Sequence, residues 1–376
     1  MIQESPLSLA RTFLVTGAAA LAACTIWAAI DDPYKSDGES NGAAVDGSTD
    51  ADGEGGLDAS TDAGSEGGLD SAHPDADAGA PTNRAFDAGF VPNAIGAYGD
   101  TVYAVDHGAQ VHVAYDASTT FTDFWTGDAG GIFLIARNGV AANAEGVFWT
   151  LSTGVRYCGI DAGNCGLLPS ANAREIAASD SVVAWIDDTG VRTCTLPIET
   201  CTPATLAASK AAALVAAGPN AAVAWTDGGA TIHLANGVDA GSVNLDPYEV
   251  DLMATDRTLG TLYWEGPLAL GFLQFDGGGG PQDAVPLYAN VKPTALFVNR
   301  GILYWSLATN NLVQHCRLVL DSGSPQCAPS NLAATGLPTP QTTHGIVVTS
   351  RRVLALVSCC NGVVEPTLVE WPVPPP

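Results

Sequence analysis

Basic residues are scarce in this chain: 14 Lys and Arg stand against 40 Asp and Glu, for a net charge of −26 over 376 residues. Phosphate backbones are held by clustered Lys and Arg, so this deficit excludes nucleic acid as a partner. Methionine is nearly absent, with two residues, while 42 Gly and 23 Pro favour short strands and turns over helices. The motifs of common chemistry are missing as well. There is no His-Glu-x-x-His, no Gly-x-Ser-x-Gly and no phosphate-binding loop. Gly277-Gly278-Gly279-Gly280 has the look of a nucleotide loop, but Pro281 follows it and no helix does. Only six histidines are present, and Asp106, His107 and His112 form the one local acid–histidine cluster. Those three are candidates for a metal or general-base site if the histidines lie across a hairpin.

Long apolar runs are confined to the N-terminus. Arg11 precedes the segment Thr12 to Ala23, which ends in Leu21-Ala22-Ala23-Cys24. A basic residue, a short apolar stretch and small residues before a cleavage point make a secretory signal. Leu-Ala-Ala-Cys also resembles the bacterial lipobox, which implies cleavage before Cys24, lipidation of its thiol and partnership with the bilayer. Two or more acyl chains suffice for stable anchoring. Thr25, rather than Asp, follows the cysteine, and by resemblance to enterobacterial sorting this favours the outer membrane. The competing reading is an uncleaved anchor, since Thr12 to Ile30 makes 19 residues, near the ~20 that span a bilayer.

Residues 25–90 read as a disordered acidic linker. Between 31 and 87, 15 Asp and Glu against only Lys35 and Arg84 leave −13, half of the total charge. Such a tract cannot bury enough apolar surface to offset its ordering entropy, and self-repulsion extends it. As a flexible coil it would reach roughly 40–50 Å. Calcium is the one cofactor its composition suits. Yet no Asp-x-[Asp/Asn]-x-[Asp/Asn]-Gly loop closes on a Glu, and no nonapeptide period is kept.

From residue 91 to 376 a unit of about 40 residues repeats. Its apolar centre reads Val147-Phe148-Trp149-Thr150, then Val183-Ala184-Trp185-Ile186, Val223-Ala224-Trp225-Thr226, Leu262-Tyr263-Trp264-Glu265 and Leu303-Tyr304-Trp305-Ser306. The tryptophans are 36, 40, 39 and 41 residues apart. Degenerate copies at Val102-Tyr103-Ala104-Val105 and Val353-Leu354-Ala355-Leu356 bring the count to seven. Four short strands per ~40 residues predict an all-β fold, a β-propeller with seven blades, six and eight being the alternatives. A large aromatic recurring at one blade position is expected to fill the wedge between neighbours. The tryptophan strand resembles the Tyr-Trp-Thr-Asp type of propeller repeat, with Asp187 and Asp227 at the family's spacing. Together with its cysteines, the region resembles the cysteine-containing propeller lipoproteins of the myxobacterial type.

The cysteines pair by spacing: Cys158 with Cys165, Cys194 with Cys201, and Cys316 with Cys327. Facing residues of a hairpin bring Cα atoms to about 5.5 Å, which suits a disulfide. Zinc is the rival, but it favours shorter spacings and reduced thiolates. Spacing does not decide whether the adjacent Cys359 and Cys360 bond each other, bond elsewhere or stay reduced. Asp106, Asp187, Asp188, Asp227 and Glu265 fall just after successive second strands. They would crowd onto one face of the disc, as a carboxylate ring for calcium or a cationic ligand, or as solvated turn residues.

The expected function is non-enzymatic: an exported, membrane-anchored binding or scaffolding lipoprotein of the cell envelope, meeting an unknown protein or glycan through a propeller face. The alternative is a propeller hydrolase or lyase, lactonase-like, with a metal at the central channel. Acidic side chains from several blades meeting at the channel mouth would favour the enzyme, and a lining of Ala, Val and Ser would oppose it.

Overall fold

A strand covered on both faces has no polar side to alternate with, and the seven repeated runs have that composition. In the computed structural model each run is the second strand of a four-stranded antiparallel sheet. The structure describes residues 81–374 apart from 85–89, 107, 116–119, 128–137, 210, 236–239, 258–259, 268, 275–284, 290, 308–311, 320–326, 335–340 and 360–365.

From the inside outwards, blade 1 is Pro92–Tyr98, Thr101–Asp106, Val111–Ala114 and Thr122–Trp125, and blade 2 is Val140–Ala142, Gly146–Leu151, Gly154–Gly159 and Gly166–Pro169. Blade 3 is Arg174–Ala178, Val182–Asp187, Gly190–Thr195 and Ala204–Ala207, and blade 4 is Leu214–Ala217, Val223–Thr226, Thr231–Ala235 and Ala240–Asn244. Blade 5 is Leu252–Asp256, Thr261–Gly266, Ala269–Gln274 and Val285–Ala289, and blade 6 is Pro293–Asn299, Ile302–Leu307, Val313–Arg317 and Ser330–Asn331. Blade 7 takes Gln341–Val348, Arg352–Cys359 and Thr367–Pro372 from the C-terminus and its outer strand, Thr82–Arg84, from the N-terminal side. This outer strand lies inside the tract expected to be linker. The propeller therefore starts before residue 91, with Thr82 opposite Glu370 and Arg84 opposite Leu368.

The innermost strands touch in sequence and the seventh touches the first, so the ring closes around a channel. Antiparallel order then fixes two faces. The lower face carries the first-to-second and third-to-fourth turns; the upper face carries the second-to-third turns and the links between blades.

Alternation along each second strand divides its side chains between two cores. In blade 3, Val183 and Trp185 pack with Phe148 and Val155 of blade 2, while Val182, Ala184 and Ile186 pack with Val215 and Val223 of blade 4. The expected wedge-filling role of the tryptophans holds: Trp149, Trp185 and Trp264 have no solvent exposure, and Trp305 has 1%. Blades 1 and 7 carry Ala104 and Ala355 at that position, and in blade 7 the third-strand Trp371 fills the core instead.

On the lower face, six of the seven junctions are tied by a hydrogen bond near the first turn. Asn143 Nδ2 donates to the Ser179 carbonyl at 2.6 Å, Ala221 N to Ser181 Oγ at 2.7 Å, and Thr255 Oγ1 to the Ala217 carbonyl at 2.7 Å. Gly301 N donates to Asp256 Oδ2 at 2.5 Å, Asn299 Nδ2 to the Val348 carbonyl at 3.3 Å, and Ser350 N to Asp100 Oδ1 at 2.7 Å. At the junction of blades 1 and 2, Gly96 instead lets the inner strands close up, since a Cβ there would press on the Val140 carbonyl. Glycine is also required at the upper turns of blades 2 and 3. Gly154 and Gly190 have φ of +148° and +132°, and a Cβ would collide with the carbonyls of Leu168 and Ala207.

All three expected disulfides form: Cys158–Cys165, Cys194–Cys201 and Cys316–Cys327. Each joins a third strand to the segment leading into the fourth, where a short outer strand holds few ladder bonds. Replacing Cys194 and Cys201 together by Ser is expected to lower stability by about 2.5 kcal/mol, from the entropy of closing so short a loop. Urea unfolding of the double variant beside the parent measures it.

Candidate functional site

The carboxylates expected to form a ring lie at the upper end of the second strands, but each is engaged within its own blade or the link leading into it. Asp187 is buried, and its Oδ1 accepts from Thr189 N at 2.7 Å, Thr189 Oγ1 at 2.5 Å and Gly190 N at 3.1 Å. Its Oδ2 accepts from Ser170 Oγ at 2.5 Å. Burial opposes ionisation, but the hydrogen bonds from Ser170 and Thr189 outweigh it and hold the carboxyl below the usual range. Asp188 takes Asn172 Nδ2 at 2.6 Å with Arg174 at 4.0 Å. Asp227 takes Ser209 Oγ at 2.9 Å with His233 at 3.8 Å. Asp106 accepts from Gln110 N at 2.8 Å, capping the upper turn of blade 1. Glu265 is fully buried inside blade 5 rather than on the face. Among the described residues, no three His, Cys, Asp or Glu side chains are placed to share a metal ion.

The Trp-x-Asp motif thereby acquires a structural meaning. In blade 3, Ser170 on the link from blade 2 accepts Trp185 Nε1–H at 3.1 Å and donates to Asp187. One serine ties the motif to the preceding blade. Ser209 takes the same place before blade 4, so Ser and Asp occur together. Where the Asp is missing, an aromatic ring from the previous blade or link lies against the tryptophan. Trp125 meets Trp149 at 5.4 Å, Tyr248 meets Trp264 at 5.6 Å and Tyr288 meets Trp305 at 5.8 Å between ring centroids. The indole N–H groups of Trp149, Trp264 and Trp305 are buried with no hydrogen-bond partner among the described residues.

His112 stands in the third strand of blade 1, its Nδ1 at 3.1 Å from Asp123 Oδ1 and its Nε2 at 3.9 Å from Asp106 Oδ2. The Phe90 ring lies 3.8 Å from its own, centroid to centroid. Burial pushes the imidazole pKa down despite both carboxylates. Burial does the same to His315, and to His344, whose Nε2 lies 2.7 Å from Ser358 Oγ. His107, Cys24 and Cys360 lie outside the described residues, as does the side chain of Cys359.

These shifts set a pH dependence. A histidine with a lowered folded pKa binds its proton more readily in the unfolded chain, so stability falls as pH drops below about 6.5. Asp187 and Asp100, the latter held down by hydrogen bonds from Ser350, add a further loss as pH falls below their ordinary value of 3.8. The urea midpoint is expected to decrease from pH 7 to pH 5.5, and less steeply in a His112→Gln, His344→Gln double variant.

The channel is a cavity of about 500 Å³ walled by the seven inner strands. The wall is mixed: small and branched apolar residues, among them Val140, Ala177, Ala216, Ala254 and Ile346, stand beside polar ones such as Asn138, Thr255, Thr294 and His344. Charge collects at the lower mouth, where Asp100, Asp180 and Asp256 from three blades meet Arg257 and Arg300. Asp100 and Asp256 are spent on the junction hydrogen bonds to Ser350 and Gly301. Arg257, in the lower turn of blade 5, reaches across the axis, its Nη1 donating to the Ala142 carbonyl of blade 2 at 2.9 Å. Neither it nor Ser170 stands out in the sequence. Arg257 is one Arg in a turn, and its reach depends on the ring's diameter. Ser170 could have been found only by noting that a serine stands 17 residues before Asp187 and 18 before Asp227.

No protein-family model and no curated protein matches this sequence. Solved structures do share its architecture. One described as the mitotic checkpoint complex aligns over 80% of this chain and 96% of that one, with TM-score 0.55 and 11% identity. An inactive virginiamycin B lyase from Staphylococcus aureus with quinupristin aligns over 78% and 99%, with TM-score 0.56 and 10% identity. The WD40 repeats of RRP9 align over 78% and 98%, with TM-score 0.57 and 6% identity. A checkpoint complex, a virginiamycin B lyase and a set of WD40 repeats have in common the arrangement of blades and not a chemistry. At these identities the likeness establishes one thing about the chain: it is a β-propeller.

Proposed function

We propose that this protein is an exported lipoprotein of the cell envelope, anchored through Cys24 to the outer membrane, whose propeller acts as a non-enzymatic binding or scaffolding module. We place it with the cysteine-containing propeller lipoproteins of the myxobacterial type. The observation that carries the reading is the disulfide pairing in blades 2, 3 and 6. Such bonds form and persist outside the reducing cytoplasm, which agrees with a secretory segment ending at Cys24. Support for binding over catalysis comes from the upper face. Its carboxylates serve the turns and blade links, so they act as structure while the face stays free for contact. Asp188 and Asp227 keep 48% and 42% of their side-chain surface open there. A protein or glycan partner would meet that face.

Two measurements test the reading. Cells fed a radiolabelled fatty acid should label the protein, and Cys24→Ala should abolish the label and move the chain from the membrane to the soluble fraction. An unmodified peptide spanning Cys24 in the mature protein would overturn the anchor. For the contact face, a photo-crosslinking residue at position 188 should give a discrete adduct in cells. The same residue at Glu199, exposed on the lower face, should give none. Equal adducts from both positions would overturn the choice of face.

A further inference from the structure

Arg257 reaches across the channel from blade 5 to blade 2. Its guanidinium is ringed by protein yet keeps partial access to the cavity, being only partly buried by surface area. Among the described residues it makes one hydrogen bond, from Nη1 to Ala142, leaving Nε and Nη2 without a protein acceptor. Asp180 is the carboxylate whose charge it feels. An anion entering the cavity would complete the hydrogen bonding of a guanidinium held in this way. Of the neighbouring carboxylates, Asp100 and Asp256 are engaged at blade junctions, and Asp180 is exposed at the rim.

We propose that the channel is a binding site for a compact organic carboxylate, its head paired with the free edge of the Arg257 guanidinium and its apolar body lying along the inner strands. Guanidinium and carboxylate match as planar forks and form paired, charge-assisted hydrogen bonds. The wall mixes apolar residues such as Ala177 and Ala254 with polar ones such as Asn138 and Thr255, so it can take an apolar body beside a polar head. A volume of about 500 Å³ lies within the range of small-molecule pockets. Asp180 offsets part of the positive charge and so weakens the site. This inference goes beyond the scaffolding reading and is independent of it, since the channel would bind with or without an anchor or an upper-face partner.

Isothermal titration of the full chain in detergent with naphthalene-2-carboxylate and naphthalene-2-carboxamide tests the proposal, with the heat of micelle partitioning subtracted. The carboxylate is expected to bind one to one, and the amide about tenfold more weakly or worse. Arg257→Gln should weaken the carboxylate by about tenfold or more and leave the amide unchanged. Asp180→Asn should tighten it by about two- to fivefold, a gain that misfolding does not produce. Ala254→Phe, which fills the channel and keeps Arg257, should abolish binding, and it decides the matter if Arg257→Gln does not fold. Equal affinity for acid and amide, no binding of the acid up to about 1 mM, or binding that survives both Arg257→Gln and Ala254→Phe would overturn it. Fatty-acid labelling at Cys24 and adducts at position 188 would be untouched by that failure.

Discussion

Trp264→Ala is expected to lower the unfolding free energy by about 3–5 kcal/mol, the usual range for emptying a fully buried aromatic site. Trp264 has no exposed surface and packs with Leu234, Leu262 and Leu273, with Tyr248 against its ring from the preceding link. The wedge between blades 4 and 5 is fixed by sheets on both sides, so the cavity has little freedom to collapse. A comparison separates packing from hydrogen bonding. Trp264→Phe removes an N–H that has no partner among the described residues, whereas Trp185→Phe also breaks the 3.1 Å bond to Ser170. The second substitution should therefore cost about 1 kcal/mol more than the first. Urea unfolding of the three variants measures both differences, and equal losses from the two Phe variants would show that the bond from Trp185 to Ser170 contributes nothing to holding the blades.

Starting the chain at residue 85, rather than at 81, should cost on the order of 3 kcal/mol, about 1 kcal/mol for each residue of ladder pairing removed. The reason is topological. Blade 7 contributes three strands from the C-terminus, and Thr82–Arg84 supplies the fourth by pairing with Thr367–Pro372. That pairing ties the two ends of the propeller together, so its loss opens the ring at one place. The outer edge of Thr367–Pro372 would then present unpaired N–H and C=O groups, a template for association. Size-exclusion chromatography should show dimers or larger species for the shorter chain and a monomer-sized peak for the longer one. Identical stability and elution would mean that the ring closes through its inner strands alone.

Some of this was legible and some was not, for identifiable reasons. The seven second strands could be located because both of their faces are covered, which forces an unbroken apolar run with a large aromatic in it. The three disulfides were legible because facing hairpin positions sit a fixed few residues apart. The outer strand at Thr82–Arg84 was hidden: it is three residues long, it lies in an acidic tract, and its partner is nearly three hundred residues away. The carboxylate ring was expected because residues at equivalent blade positions share a face, which holds for Asp106, Asp187, Asp188 and Asp227. Sharing a face did not make them converge, since each hydrogen bond needed by an upper turn or a blade link draws its own carboxylate inwards.

The sequence by itself determined the architecture, the wedge-filling tryptophans and the hairpin disulfides, and put seven first among the blade counts of six to eight, because periodicity and local spacing carry those directly. Only the tertiary structure decided how neighbouring blades are joined and what faces the channel. Ser170 on Asp187, Tyr248 on Trp264, and Arg257 reaching from blade 5 to Ala142 in blade 2 are contacts between positions whose separation in the chain follows no period. They exist because closing seven sheets into a ring sets the distances across links and across the axis, and no single repeat contains that information.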